Sequence, residues 1–568
     1  MDARRPALSG ALLVALMLGL IPPAAGAGVP VALDSPVAAS LSGTPDGGTH
    51  PLALAEGDYV EGLLDSGPLP VDLRLVDAGG RPLRLLLGGS TGRASFRFVA
   101  EPAHAALRVS GREAGAYSLT LTRRIGRSGQ FPNPRVFDSP TVAALAGALE
   151  RGETTDAFWE RVARTGTPLT EPHGPGTVVM TFLARGARQN VRLLGGPSSD
   201  HERLERLGTS DVWFKSFVVP DSTRLSYQIA PDVPDFPASC RACREAILAQ
   251  TQADPLNPRS WPSDAPDRYN RWSVVDLPAA PPQPGVPDAA APAGRLDSRR
   301  LDSRRFDSRR LGNSREVTIH TPAGFDPARP DTILLLLFDG PDYRDRVRAP
   351  AILDRLTADG RLPPVVTALI ANPSAEARAR ELPGNPDFAA MLADELLPWL
   401  AERTGLTPRP ERTVLAGSSY GGLAAATAAL AHPERFGNAL SISGSFWWHP
   451  EDAPRERPEH VAGLVATTER APVRFFLSAG LFESGSAGDL GILESSRHLR
   501  DVLEARGYDV AYREYAAGHD YYAWRGVLGD GLLALFGRDG AFRESGRGEP
   551  ADSLTPPRAA PPPPSGRR

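Results

Sequence analysis

A serine between glycines, Gly417-Ser418-Ser419-Tyr420-Gly421-Gly422, stands where the apolar run Val414-Leu415-Ala416 gives way to a stretch of small residues. Gly-x-Ser-x-Gly at a strand-to-helix junction is a nucleophile elbow. The turn demands glycine on both flanks, where a Cβ would strike the neighbouring strand, and leaves the hydroxyl exposed at the sheet end. Register makes Ser419, not Ser418, the nucleophile. A serine becomes nucleophilic only when a base takes its proton, and Ala516-Ala517-Gly518-His519-Asp520 offers His519 in a loop after the alternating stretch 510–515. The chain order serine, acid, histidine then puts a carboxylate between them. Residues 473–480 read as a buried strand ending in a glycine turn, and Glu483 lies just beyond, with Asp489 the alternative in the same loop. Asp520 cannot easily reach the ring of its own neighbour and reads as structural.

The negative charge that develops on a carbonyl oxygen during attack needs amide donors. The first is the N–H of Tyr420, directly after the nucleophile. The second comes from the loop after the apolar strand 333–338, where Asp339-Gly340-Pro341 leaves the N–H of Gly340, since Pro341 has none.

The elements that must carry these residues imply an α/β catalytic domain over 316–538. The chain has 568 residues, too many for one core, and three to four domains are expected. Before the catalytic domain, 29–124 alternates apolar and polar residues in short runs between Gly- and Asp-rich turns, the pattern of a β-sandwich. A second β-rich unit, opened by an amphipathic helix over 142–164, fills 140–278. A Pro/Ala-rich linker follows from 279 and should be mobile. It ends in a five-residue repeat, Leu296-Asp297-Ser298-Arg299-Arg300 and its two successors, then the degenerate Leu311-Gly312-Asn313-Ser314-Arg315. That period fits neither helix nor strand, so 279–315 reads as a solvated linker, with a basic arm as the functional alternative. The Pro/Arg-rich tail, 539–568, cannot bury a core.

Met1-Asp2-Ala3-Arg4-Arg5, the apolar run 11–21 and Ala25-Gly26-Ala27 form the three parts of a secretory signal, with cleavage after Ala27. The apolar run is too short to remain as a membrane span, so the expected location is the periplasm or the medium. In that compartment Cys240 and Cys243, the two cysteines of the chain, can close a local disulfide. They do not complete a zinc site, and no metal or other cofactor is assigned. The net charge of −4, with no segregated basic lobe, gives no reason to expect nucleic acid as a partner.

Over 156–536 the ordered motifs Gly166-Thr167-Pro168-Leu169, Thr209-Ser210-Asp211-Val212-Trp213, Asp254-Pro255-Leu256-Asn257-Pro258 with Trp261, Glu381-Leu382-Pro383-Gly384-Asn385, Ser443-Gly444-Ser445-Phe446-Trp447-Trp448 and Gly518-His519-Asp520 with Trp524 resemble the enterochelin (enterobactin) esterases. The resemblance implies an α/β-hydrolase of the esterase D type behind the family's own accessory domain, here 140–278. The segment 29–124 is an addition similar, through Gly115-Ala116-Tyr117-Ser118-Leu119-Thr120, to prepeptidase C-terminal domains, giving two β-sandwich-like domains before the hydrolase. It implies Ser419 and His519 in catalysis on a catecholate trilactone siderophore, apo or iron-loaded, with iron arriving as cargo. An anionic aromatic disc calls for guanidinium groups and flat faces, so Arg378, Arg380, Trp447, Trp448 and Arg525 are expected to line the pocket. The alternatives are a general exported carboxylesterase or acyltransferase on the same triad and a silent binding protein.

Overall fold

Unbroken six-residue apolar runs such as Ile333–Phe338 are satisfied only between two apolar layers. The computed structural model, which describes residues 30–43, 47–130, 137–197, 201–234, 240–287, 300–451, 459–485 and 490–537, places that run at the centre of an eight-stranded sheet. Its strands are β1 (Leu301–Ser308), β2 (Asn313–His320), β3 (Ile333–Phe338), β4 (Val365–Ile370), β5 (Thr413–Ser418), β6 (Asn438–Ile442), β7 (Arg474–Gly480) and β8 (Asp509–Tyr515). They lie in the order β1-β2-β4-β3-β5-β6-β7-β8, with β2 antiparallel to both β1 and β4 and every other pairing parallel. Alternate residues of β3 feed the two cores: Leu334, Leu336 and Phe338 join one, Ile333, Leu335 and Leu337 the other.

Because β3 pairs with both β4 and β5, the chain order reverses there, and a parallel sheet opens a crevice at the carboxyl ends of the strands beside such a point. The helices that matter for the site follow from those ends: α1 (Gly340–Asp345) after β3, α2 (Ala375–Glu381) after β4, α3 (Tyr420–Ala431) after β5 and α4 (Tyr521–Phe536) after β8. Helix α3 contributes Leu423, Ala424, Ala425 and Ala428 to the first core, whereas α4 contributes Trp524, Val527 and Leu528 to the second. The serine and the histidine therefore open helices on opposite faces of one sheet.

Two expectations about the segment before the sheet are corrected. The second and third repeat units are not linker: Leu301–Ser308 is β1, paired residue by residue with β2. An edge strand exposes most of its side chains and so accepts Asp and Arg at positions a central strand would refuse. Only Phe306 and Ser308 are buried on it. The first residues of the Pro/Ala segment are also packed. Gln283 Nε2 donates to the Tyr522 carbonyl at 3.0 Å, and an added Cβ on Gly529 would fall 2.6 Å from the Pro284 carbonyl. Residues 288–299 lie outside those described, as do the proposed signal segment 1–27, the tail from 538, Asp489 and the side chain of Cys240.

Ahead of the linker, and in the same compact unit as the hydrolase sheet, one four-stranded and one five-stranded antiparallel sheet enclose a core of Met180, Phe182, Leu193, Trp213, Leu225 and Tyr227. The N-terminal unit, up to Val136, consists of two four-stranded antiparallel sheets around Val60, Leu73, Phe98, Leu107 and Leu119.

The pairing of β1 is testable. Phe306 is 4% exposed and meets Trp399 edge to face at 5.5 Å. Phe306→Ala should cost about 3–5 kcal/mol in denaturant unfolding of the hydrolase unit. Arg304→Ala, which removes an exposed pair with Asp302, should cost under about 1 kcal/mol. A solvated linker would give no difference between the two.

Candidate active site

The elbow begins with a backbone conformation that L-residues avoid: Ser419 has φ 58° and ψ −122°. Hydrogen bonds from the next strand hold it there. Its N–H donates to the carbonyls of Ile442 and Ser443 at 3.0 and 3.1 Å, and its own carbonyl accepts from Ser445 N–H at 3.1 Å. Its hydroxyl lies 3.3 Å from that of Ser445.

The glycine requirement differs from the expected one. A Cβ on Gly417 would come 2.7 Å from the carbonyl carbon of Gly421, so it would strike the outgoing helix and not a strand. One on Gly421 would make ordinary contacts, 3.4 Å from Phe338 Cβ and 3.5 Å from Asp339 Oδ2. The second stringent position is Gly422, where a Cβ would sit 2.5 Å from Ser441 Oγ.

His519 Nδ1 lies 2.5 Å from Glu483 Oε1. The other oxygen of that carboxylate, Oε2, accepts the N–H of Gly480 at 2.6 Å, so both lone-pair edges of a side chain only 2% exposed are used. With Nδ1–H committed to a carboxylate, Nε2 is the basic nitrogen of the neutral ring. Gly480 permits the approach of the two loops, since a Cβ there would lie 2.3 Å from the Ala517 carbonyl oxygen. The ring also stands edge to face on Trp524, centroids 4.7 Å apart, and Trp524 Nε1 donates to Ser443 Oγ at 3.0 Å. As Ser443 also accepts the Ser419 N–H, a two-residue relay of packing and hydrogen bonds ties elbow to imidazole.

Asp520 is buried and opens α4 by accepting the Ala523 N–H at 3.0 Å. Burial pushes its carboxyl up to about 6, against the amides that hydrogen-bond to it. Gly340 begins α1, and a Cβ on it would lie 2.5 Å from the carbonyl carbon of Leu369. Asp339 before it is left-handed at φ 54° and 3% exposed.

The pocket residues divide. Arg378 makes a bidentate pair with Asp339, Nε to Oδ1 at 2.7 Å and Nη2 to Oδ2 at 2.8 Å, while Asn372 Nδ2 donates to Oδ1 at 2.6 Å. Burial opposes the Arg378 charge, but the pair with Asp339 outweighs it and the guanidinium is held above its usual range. Its guanidinium carbon stands 5.8 Å from the Tyr420 ring, and Trp447, 37% exposed, lies 6.3 Å from the same ring. Arg380 is exposed. Two of the expected pocket residues make contacts of another kind. Trp448 packs on His460 and fills the space a Cβ of Gly384 would need. Arg525 donates to Gln283 Oε1 at 2.8 Å and stacks on Tyr522 at 4.0 Å, tying the linker down.

Sequence reasoning did not assign Arg346, Tyr521 and Trp261. Arg346 lies 4.7 Å over Tyr521, two residues past His519, and 5.6 Å over Trp261 of the accessory domain. Arg346 also pairs with Asp342 one helical turn earlier at 3.1 Å, but its two aromatic partners lie far away in the chain.

A family model described as putative esterase matches residues 308–535, and one described as enterochelin esterase, N-terminal, matches 179–286. The iron(III) enterobactin esterase of Dickeya dadantii is 32% identical over 444 residues, spanning 72% of this chain and 98% of its own. That of Escherichia coli K12 is 33% identical over 348 residues, 60% of this chain and 83% of its own. Among solved structures, ferric enterobactin esterase of Salmonella typhimurium superposes with a TM-score of 0.54 at 30% identity, covering 67% of this chain and 98% of that one. With the strand order, the strained serine and the His519–Glu483 contact in place, these likenesses make the chain a carboxylic ester hydrolase, an α/β-hydrolase belonging to the enterochelin (enterobactin) esterase family.

Proposed function

We propose that the protein hydrolyses the ester bonds of a catecholate trilactone siderophore such as enterobactin, free or carrying iron, and so aids iron release. The observations that support the reading are the Glu483–His519 hydrogen bond and the positive-φ serine at the strand-to-helix elbow, in a chain whose relatives are named iron(III) enterobactin esterases. In this reading Ser419 Oγ attacks an ester carbonyl of the serine trilactone while His519 Nε2 takes its proton. The N–H groups of Tyr420 and Gly340 receive the oxyanion. Glu483 fixes the ring and stabilises the imidazolium without accepting its proton. The alcohol leaves with the proton from His519, giving an acyl-enzyme, and water activated by the same nitrogen releases a linear product. A linear catechoyl-serine ligand holds iron less well, because the preorganisation of the ring is lost.

Substrate contacts fall to Tyr420, Trp447 and Arg380. Arg378 acts mainly through Asp339, whose charge it matches. The asymmetry follows from electrostatics: a guanidinium already bidentate to a buried carboxylate has little field left for a ligand, whereas an exposed one keeps its full charge. The accessory sheets at 140–278 and the extra ones at 29–124 are read as sandwich-like domains, the latter a prepeptidase-type appendage. The N-terminal segment is read as a cleaved export signal, giving a periplasmic or secreted enzyme. Fractionation of producing cells and N-terminal sequencing of the mature chain should find it outside the cytoplasm, beginning after Ala27.

Chromatography of apo and ferric enterobactin after incubation should show linear trimer, dimer and monomer. Ser419→Ala and His519→Ala should each lower kcat by about 10⁴-fold or more, and Glu483→Gln by about 10³–10⁴-fold. Turnover of simple aryl esters with no preference for the trilactone would instead identify a general carboxylesterase.

Arg380→Ala and Trp447→Ala should raise KM for the anionic trilactone by about 5- to 50-fold, on the scale of one charge-assisted or one aromatic contact. Both should leave KM for a neutral aryl ester within about twofold. Equal changes on the two substrates would remove these residues from the pocket.

A further inference from the structure

Strand β8 is the outer strand of the hydrolase sheet, so the loop that follows it has a strand neighbour on one side only. That loop, residues 516–520, carries His519. On its inner side the acid loop holds it, Phe482 N–H donating to the Ala517 carbonyl at 3.1 Å. On its outer side, where the sheet offers nothing, the accessory domain takes the place of a neighbouring strand. Arg224 N–H, at the start of the strand Arg224–Pro231, donates to the Ala516 carbonyl at 2.9 Å. Two residues further along the same strand, Ser226 N–H donates to Asp520 Oδ2 at 3.3 Å. Between these contacts the backbones touch, since a Cβ on Gly518 would be 3.0 Å from the Gly196 carbonyl oxygen.

The acid loop is anchored in the same body. Phe482, adjacent to Glu483, packs its ring against the accessory core that contains Met180, Phe182 and Tyr227. Both loops that bear the charge-handling groups therefore end on one foreign surface. A carboxylate taken out of water is unfavourable unless its oxygens are satisfied. Asp520 binds through Oδ1 within its own helix, at Ala523, and through Oδ2 across the domain boundary, at Ser226.

We infer that the accessory domain is a working part of the catalytic centre, its strand Arg224–Pro231 and core holding His519 and Glu483 in register through an Asp520–Ser226 latch and a Phe482 plug. Asp520 and Phe482 are positioning residues: neither touches substrate, and each acts through its neighbour in sequence. The inference rests on the assignment of His519 as the base. It accounts for the run Gly518-His519-Asp520. Glycine lets the loop lie on the accessory backbone, histidine does the chemistry, and the aspartate locks the turn to two bodies at once.

Three substitutions in the full-length protein separate this from a simple helix cap. Asp520→Ser keeps a good N-cap for α4 but is too short to reach Ser226. Gly518→Ala removes no hydrogen bond and meets no positive-φ demand, yet wedges the loop from Gly196. Phe482→Ala empties the plug. Hydrolysis of a neutral p-nitrophenyl ester is measured per active site, counted by stoichiometric reaction with an organophosphonate, and the low-field Nδ1–H proton between His519 and Glu483 is followed by NMR. Each variant should lose about 10- to 100-fold in kcat, the scale of a displaced catalytic group, with KM within about twofold and the low-field signal broadened or lost. Retention of kcat within twofold and of the signal by Gly518→Ala and either other variant overturns the inference. If Asp520→Ser fails to fold, Gly518→Ala and Phe482→Ala decide. His519→Ala serves as the reference, and activity surviving in it would overturn the base assignment itself, a distinguishable result.

Discussion

The rest of the site depends on the turn at Ser419, where a residue with a side chain is kept at positive φ. Such a conformation lies about 1–3 kcal/mol above an ordinary one and persists because three backbone hydrogen bonds to residues 442, 443 and 445 leave it no alternative. Those partners exist only because β6 runs parallel to β5 and ends level with it. The small residues of α3 serve the same end. Gly422, where a Cβ would sit 2.5 Å from Ser441 Oγ, lets the helix leave close against the residues of β6.

Charge is distributed around the elbow with little left unmatched. Asp339 sits in a left-handed position next to Gly340, buried, and would be unstable there without Arg378 and Asn372. The pair joins α2 to the residue that precedes Gly340, and its guanidinium lies over the Tyr420 ring. A second buried pair, Arg315 with Glu381, fixes the far end of α2 to β2. One short helix is thus held at its middle and at its C-terminal end by ion pairs, which gives Arg378 little freedom to follow a ligand. Its role is closer to that of a strut than of a hand.

The accessory domain is joined to the hydrolase by contacts of unusual variety: a strand amide to the histidine loop, Tyr522 to Asp276, and Arg346 and Arg525 against Trp261. Desolvation weighs on several of these groups. Burial lowers Arg525, while Asp276 is held below the usual carboxylate range because hydrogen bonds and charge from Tyr522 and Arg224 outweigh its burial. An interface built from paired charges loses much when one partner is removed, because the other is stranded. That is a reason for the linker residues near Gln283 to be packed down, since a mobile connection would leave these charges to open and close with solvent.

The sequence by itself determined the catalytic domain and the chemistry it carries. Continuous apolar runs define parallel strands wherever both faces are covered, and the elbow glycines, the late histidine and Glu483 past a glycine turn are each written in a few adjacent residues. Tertiary structure alone decided what depends on partners distant in the chain. The repeat at 301–308 became an edge strand because β2 was there to pair with it, although its period suggested neither helix nor strand. Arg525 found its partner at Gln283, and Trp448 packs where a Cβ on Gly384 would stand. Arg378 found its counter-charge at Asp339 and not in its own helix, and Asp520 its second amide in a strand nearly three hundred residues earlier, |i−j| = 294. Periodicity and turn chemistry are local and can be read along the chain, whereas the partner of a buried charge is set by which loops the sheet order brings together.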